Sequence, residues 1–223
     1  MYLNVNTKMA EMFNGVKAKR VLDIGSEENS IRLIRPIFPD AKIYAVNNDA
    51  GIIKVLENKQ DELIEPVLCD CQRLGFEDDY FDAAFSNQVL EHVPAPEKML
   101  KEMWRVLKPG GIGVITTPNM AAWYNRLFML FGYGPMNYTP SPEYKNIGYP
   151  RFVHKKNIYD HPRVFTVRAL KELLGLCGFR IMDWDVINDV YRGQPHGGMR
   201  AAASYMIPRG WRENTIIKIT PLK

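Results

Sequence analysis

Five short apolar runs recur along the first half of the chain, each stopped by glycine or polar residues: RVLDIG (20–25), AKIYAVNN (41–48), EPVLCD (65–70), FDAAFSN (81–87) and GIGVITTP (111–118). None alternates cleanly between apolar and polar positions, which is the pattern of strands covered on both faces of a parallel sheet. Helical periodicity fills most of the gaps. Over 95–107, Leu100, Met103, Trp104 and Leu107 repeat at the spacing of one helical face, with prolines before it and KPGG (108–111) after it. A second helix opens on Thr166 as its N-cap, carries Leu170, Leu173, Leu174 and Cys177 on its stripe and stops at Gly178. FRIMDWDVI (179–187) and NTIIKIT (214–220) add two strand candidates. The pattern therefore predicts an α/β fold, a doubly wound, mostly parallel seven-stranded sheet with right-handed crossovers.

Residues 119–162 interrupt this rhythm. They hold ten aromatics between Trp123 and Tyr159, together with Pro135, Pro140, Pro142, Pro150 and Pro162. MAAWYNRLFMLFG (120–132) reads as an amphipathic helix and the remainder as loop. So long an irregular stretch is either a lid or binding loop, or a surface insertion that packs its aromatics on itself. The expected organisation is one domain over 1–223 with 119–162 inserted after the fifth strand.

Charge sharpens this picture. The net charge of +4 lies entirely between Pro118 and Arg163, where six Lys/Arg face two Asp/Glu, and the rest of the chain is neutral. That balance suits either a solvated loop or a surface for an anionic substrate or membrane face. It is too confined to track a nucleic-acid backbone, so no nucleic-acid partner is expected. The first residues lack the basic start and apolar stretch of a signal peptide, and the uncharged run Leu127–Pro142 is too short to span a bilayer. Three cysteines, an odd number, fit a reducing cytoplasm better than a disulfide framework. No Cys/His cluster has zinc spacing, and no metal is expected.

In an open parallel sheet a ligand sits at the carboxyl ends of the strands, where the strand order reverses. A helix starting near Asn29 would point its N–H groups into that crevice. Asp23 and Gly25, then Asn47 and Asn48, then Asp70 end the first three strands there. An amide or carboxylate after the second strand can hold a pair of ribose hydroxyls, and a carboxylate after the third can accept from an exocyclic amine. Each alone is as readily a helix cap or turn former.

Taken in order, VLDIGS, IYAVNND, VLCDCQRLGFEDDYFDAAFSNQVLEHV and LKEMWRVLKPGGIGVITTPN resemble the motif series of class I S-adenosylmethionine-dependent methyltransferases of the small-molecule type. The likeness is close over 19–119, and HPRVFTVRALKELLGLCGFRI (161–181) extends it. It implies S-adenosylmethionine as cofactor, with Asp23, Gly25 and Ser26 bordering its methionine part and Asn47 and Asn48 at the ribose. It also implies Asp70 on the adenine amine, the Cys71 backbone beside the ring, and Asn87 and Gln88 near the methyl group. The turn departs from the family at Glu27 and Asn29, which replace glycines, and at Asn47, which replaces an acid. Glu27 is expected to crowd the backbone's approach to the ligand. Loss of the charge-assisted grip at Asn47 would cost about 1–2 kcal/mol.

The resemblance implies a methyltransferase of the small-molecule type, and the aromatic, basic insertion suits a lipid-linked or saccharide acceptor with an apolar body and an anionic group. The alternative is a non-catalytic scaffold of the same fold. An NAD-dependent dehydrogenase would need the complete G-x-G-x-x-G turn. His92 is the candidate catalytic base, or a histidine that fixes its loop. A subset of quinone-type O-methyltransferases, similar here, holds a metal with acidic residues at and before this point; the earlier one is Gln88 in this chain. His154 and His161 either serve the acceptor or cap loops, and Tyr133, Tyr138 and Tyr149 are candidate walls of its pocket. The basic, aromatic insertion is also a candidate for peripheral membrane contact.

Overall fold

The computed structural model describes residues 5–59, 61–136, 161–188 and 207–223, with scattered positions between 138 and 149. Its strands are β1 (Arg20–Ile24), β2 (Lys42–Asn47), β3 (Ile64–Leu68), β4 (Phe81–Asn87), β5 (Leu107–Pro118), β6 (Phe179–Ile187) and β7 (Asn214–Pro221). They form one seven-stranded sheet in the order β3-β2-β1-β4-β5-β7-β6. Only β7 runs antiparallel to its neighbours. The expected strands are all present, and the strand order reverses between β1 and β4.

Alternation along β1 explains the two layers. Val21 belongs to a core with α1 (Val5–Met12), α2 (Glu28–Ile34) and α3 (Ala50–Glu57). Leu22 and Ile24 belong to the opposite core, with α4 (Pro96–Val106) and α6 (Val167–Leu176). Pairs of central-strand residues are thus buried on both faces, which is why the runs read as continuous apolar segments. Helix α1, too short to stand out in the sequence, is held by Met9, Met12 and Phe13, all buried.

Helix α4 buries Met99, Leu100, Met103 and Val106. Leu107, expected on its stripe, already belongs to β5, and Trp104 is half-buried because its Nε1 donates to Gly178 O at 3.0 Å. That contact marks the end of α6. Gly178 has φ +85°, and a Cβ there would lie 2.8 Å from Trp104 Nε1. At the other end of α6, Thr166 Oγ1 accepts from Ala169 N at 3.2 Å, the expected N-cap.

No helix joins β3 to β4, and one arginine holds the connecting loop. Arg105 of α4 donates to Leu74 O (2.9 Å), Phe76 O (2.8 Å) and the carboxylates of Asp78 (2.7 Å) and Glu102 (2.8 and 2.9 Å). Glu102 in turn accepts from Leu74 N at 2.7 Å. Arg105→Ala is expected to cost about 2–3 kcal/mol, because two carbonyls and two carboxylates lose a charged donor. For a chain of this size that is a melting midpoint about 5–10 °C lower, measurable by calorimetry. A change under about 2 °C would mean that the loop holds itself.

The insertion forms α5 (Trp123–Leu130) as expected, but its apolar face is turned outward. Asn125 is its buried residue, donating to Met120 O (3.0 Å) and accepting from Met136 N (2.8 Å). Trp123, Leu127, Leu130 and Phe131 are exposed. Among the described residues, no helix is long and apolar enough to cross a membrane.

Candidate active site

The turn after β1 is built around Gly25. Its φ is +73°, and an added Cβ would lie 2.3 Å from Val89 Cγ2, in the turn that follows β4. Glycine is thus required twice, by conformation and by the close approach of the two strand-end turns. Asp23, buried in the face toward α2, accepts through Oδ2 from Ser26 Oγ (2.7 Å) and Ser30 Oγ (2.6 Å), while its Oδ1 has no hydrogen-bond partner among the described residues. Burial pushes its carboxyl up to about 6, against the two hydroxyls that favour the charged form.

Two of the three departures, Glu27 and Asn47, have defined places in the fold. Glu27 is exposed and has φ −137°, an extended conformation open to any residue. Its backbone N donates to Ser30 Oγ at 2.9 Å as the N-cap of α2. No glycine is needed there, and the side chain points away from the turn's packed interior. Asn47 is buried, with Nδ2 donating to Ser26 O (2.9 Å) and Oδ1 accepting from Asp49 N (2.9 Å). An acid at 47 has no proton for Ser26 O. Its polar atoms tie the β1 and β2 turns together. Asn48 beside it is exposed.

Asp70, also exposed, accepts from Gln72 N (2.8 Å) and from Gln72 Nε2 (3.2 and 3.1 Å), which sets the turn after β3. Burial pushes the neighbouring Cys71 thiol up to about 12, so it is a neutral wall and no nucleophile. A cavity of about 350 Å³ opens between the starts of α2 and α3, lined by Glu27, Asn29, Gly51 and Ile52. It lies on the β2 side of the turn and does not reach Asp70, Asn87 or Gln88.

After β4 the chain enters a strained turn. Gln88 has φ +55°, uncommon for a residue with a side chain and typical of functional sites. Its N donates to Thr116 O at 3.1 Å, and Thr116 Oγ1 donates to Asn87 Oδ1 at 2.5 Å. With its amide oriented to suit both neighbours, Gln88 Nε2 donates to Glu91 Oε1 at 3.3 Å and its oxygen accepts from Thr117 N at 3.3 Å. Glu91 is buried, its Oε2 accepts from Thr117 Oγ1 at 3.1 Å, and burial pushes its carboxyl up to about 7.

His92 is exposed and lies edge-on to His161, with ring centroids 4.6 Å apart. The sequence offers His161 only as an acceptor residue or loop cap; its meeting with His92, and the burial of Glu91, have no local signal in the chain. Tyr133 and Tyr138 lie at the surface and not around an enclosed pocket. His154 lies outside the described residues.

The site residues suit S-adenosylmethionine. A glycine cradle that a Cβ would fill, a buried carboxylate oxygen without a partner, and exposed Asn48 and Asp70 sit on adjacent strand ends at the point of order reversal.

Residues 22–115 match the family model described as a methyltransferase domain. A sterol methyltransferase-like protein of Botryococcus braunii is 31% identical over 121 residues, 50% of this chain and 31% of its own length. A demethylmenaquinone methyltransferase of Geobacillus stearothermophilus is 33% identical over 107 residues, 45% of this chain and 46% of its own. The chain thus spans less than half the length of these relatives. An S-adenosylmethionine-dependent methyltransferase structure from Methanosarcina mazei superposes with a TM-score of 0.64 over 100% of this chain and 99% of that one, at 19% identity. The [4+2]-cyclase SpnF does so with 0.62 over 97% and 80%, at 20% identity, so the fold alone does not dictate the reaction. Over residues 22–115 the chain is thus similar to the methyltransferase-domain family, and its seven-stranded sheet has the fold of the S-adenosylmethionine-dependent methyltransferase structures.

Proposed function

We propose that this protein transfers the methyl group of S-adenosylmethionine to a small, largely apolar acceptor, lipid-linked or saccharide in class. The observation that carries this reading is the convergence of the Gly25 turn, Asn48, Asp70 and the left-handed Gln88 turn at the switch point of the sheet. The bound cofactor supplies an electrophilic methyl on a sulfonium. The chain's work is to hold both reactants in line. The backbone at Gly25 and Ser26 borders the methionine end, and Asn48, beside Asn47, takes the ribose side. Asp70 accepts from the adenine amine with the Cys71 backbone beside the ring, while Asn87 and Gln88 flank the transferred group. His92 accepts the proton of a hydroxyl acceptor, a step a carboxylate acceptor does not need.

Two features support an apolar acceptor. Both curated relatives are named for sterol or demethylmenaquinone methylation. Leu130 and Phe131 at the end of α5 are 77% and 68% exposed, in the stretch that carries the chain's net charge. Residues 119–162 then act as the lid or membrane-facing entrance of a single domain. The three cysteines, all free, favour a cytoplasmic setting.

Calorimetric titration with S-adenosylmethionine and S-adenosylhomocysteine tests the reading. Micromolar binding is expected, weakened at least about tenfold in Asp70→Ala by loss of one charged hydrogen bond. Absence of binding at millimolar ligand would overturn it and leave the scaffold reading, which the commitment of Asn47 to the turn favours.

A further inference from the structure

The turn after β4 and the segment that returns from the insertion bring three ligating side chains together. Glu91 and His92 lie on the 3-10 turn Leu90–His92, and His161 comes from the start of the chain leading into α6. One ligand atom from each of the three lies within 4.8 Å of the other two. We propose that Glu91, His92 and His161 bind one divalent first-row transition-metal ion at the edge of the methyl-transfer crevice.

The two arms of the cluster are anchored by backbone contacts. Arg163 N donates to Glu91 O (3.2 Å), Arg163 Nη2 donates to Pro94 O (2.9 Å), and Met120 N donates to Phe165 O (2.9 Å). His161 is thereby held against the 3-10 turn. The Glu91 carboxylate is oriented by Thr117 Oγ1 on one oxygen and Gln88 Nε2 on the other, the supporting contacts a ligating carboxylate needs. Each of these donors leaves the carboxylate a further lone pair.

Two imidazoles and one carboxylate select the class of ion. Mg²⁺ and Ca²⁺ take oxygen ligands, whereas Zn²⁺, Mn²⁺, Fe²⁺ and Co²⁺ accept this mixture. Metal–ligand distances of about 2.0–2.2 Å require the three donors to draw in by about an ångström, a rotamer-scale adjustment for an exposed His92. Three protein ligands leave positions open for water or an acceptor oxygen. With His92 committed to the ion, the ion would take over the role given above to His92 as base: it would hold an acceptor hydroxyl beside Gln88 and ease loss of its proton to solvent, so that the oxygen is the nucleophile. This use rests on the function proposed above; the binding itself does not.

The test uses tag-free, chelator-treated protein titrated with Co²⁺, read by the ion's visible absorption, and then with Zn²⁺ as competitor. One equivalent is expected, displaced by Zn²⁺. His161→Ala and Glu91→Gln should each weaken binding by more than the roughly 10–100-fold that loss of a supporting partner costs, and Thr117→Val by about that amount. Glu91→Gln retains the side chain's shape, so it decides the matter if His161→Ala does not fold. Failure of the wild type to take up Co²⁺ at millimolar concentration, or unchanged affinity in the ligand variants, would overturn the site. S-adenosylhomocysteine titration of the same samples separates the two readings: Co²⁺ uptake without nucleoside binding keeps this site and removes the methyltransferase.

Discussion

Gly25→Ala is expected to lower the melting midpoint by about 5–15 °C, a loss of about 2–4 kcal/mol. Two independent costs add. The backbone at +73° is left-handed, where a Cβ is disfavoured, and the new methyl would sit 2.3 Å from Val89 Cγ2. They can be separated by a double-mutant cycle. In Val89→Ala the colliding methyls are gone, so the second substitution should recover the packing part and leave the strain, about 1–2 kcal/mol. Cofactor affinity should follow the geometry and not the stability. Gly25→Ala would displace the turn from both strand ends, and binding should fall more than about tenfold even well below its melting temperature. A stable Gly25→Ala protein with wild-type affinity would show that the β1 and β4 turns are not in the contact described.

Asp23→Asn should gain on the wild type by about 3 kcal/mol as pH is raised from about 4 to above 6.5. The sign follows from the carboxyl's shift, from 3.8 up to about 6, caused first by burial. The folded protein holds this proton more tightly than the unfolded chain does. Asp23 therefore costs nothing below about pH 4, where it is protonated in both states. Its cost grows as pH rises between the two values and is complete above about 6, where the buried carboxylate is charged and the unfolded one is solvated. Asparagine does not ionise, so the difference between the two proteins should trace that window. Urea unfolding at about pH 4.5, 6 and 8 measures it. A difference that stays constant with pH would mean that Ser26 and Ser30 fully offset the burial.

That a chain retains so costly a group at the end of β1 is consistent with a site that needs a carboxylate. The chemistry of the position was legible early, since VLDIGS announces an acid and a glycine at a strand end. Its energetics were not. Whether Asp23 is charged depends on Ser30, seven residues on, and on how completely α2 covers the strand.

The same division runs through the molecule. Strand runs, the Thr166 cap, the Gly178 stop and the amphipathic stretch that becomes α5 are local, because caps, periodicity and left-handed glycines act within a turn or two of the backbone. The sequence by itself thus determined the α/β class, the seven strands and the motif series of a methyltransferase.

Only the tertiary structure decided what the side chains at strand ends do. Asn47 donates to Ser26 O because β1 and β2 lie side by side and their end turns meet. Glu27 can stand where the family has a glycine because its backbone is extended. α5 turned its apolar face to solvent because Asn125 had partners inside. Glu91, His92 and His161 became one cluster because the chain returns from the insertion to the turn after β4. Such contacts join residues far apart in sequence, and burial and hydrogen-bond demand at those points are set by the packing of separate elements, which no local pattern encodes.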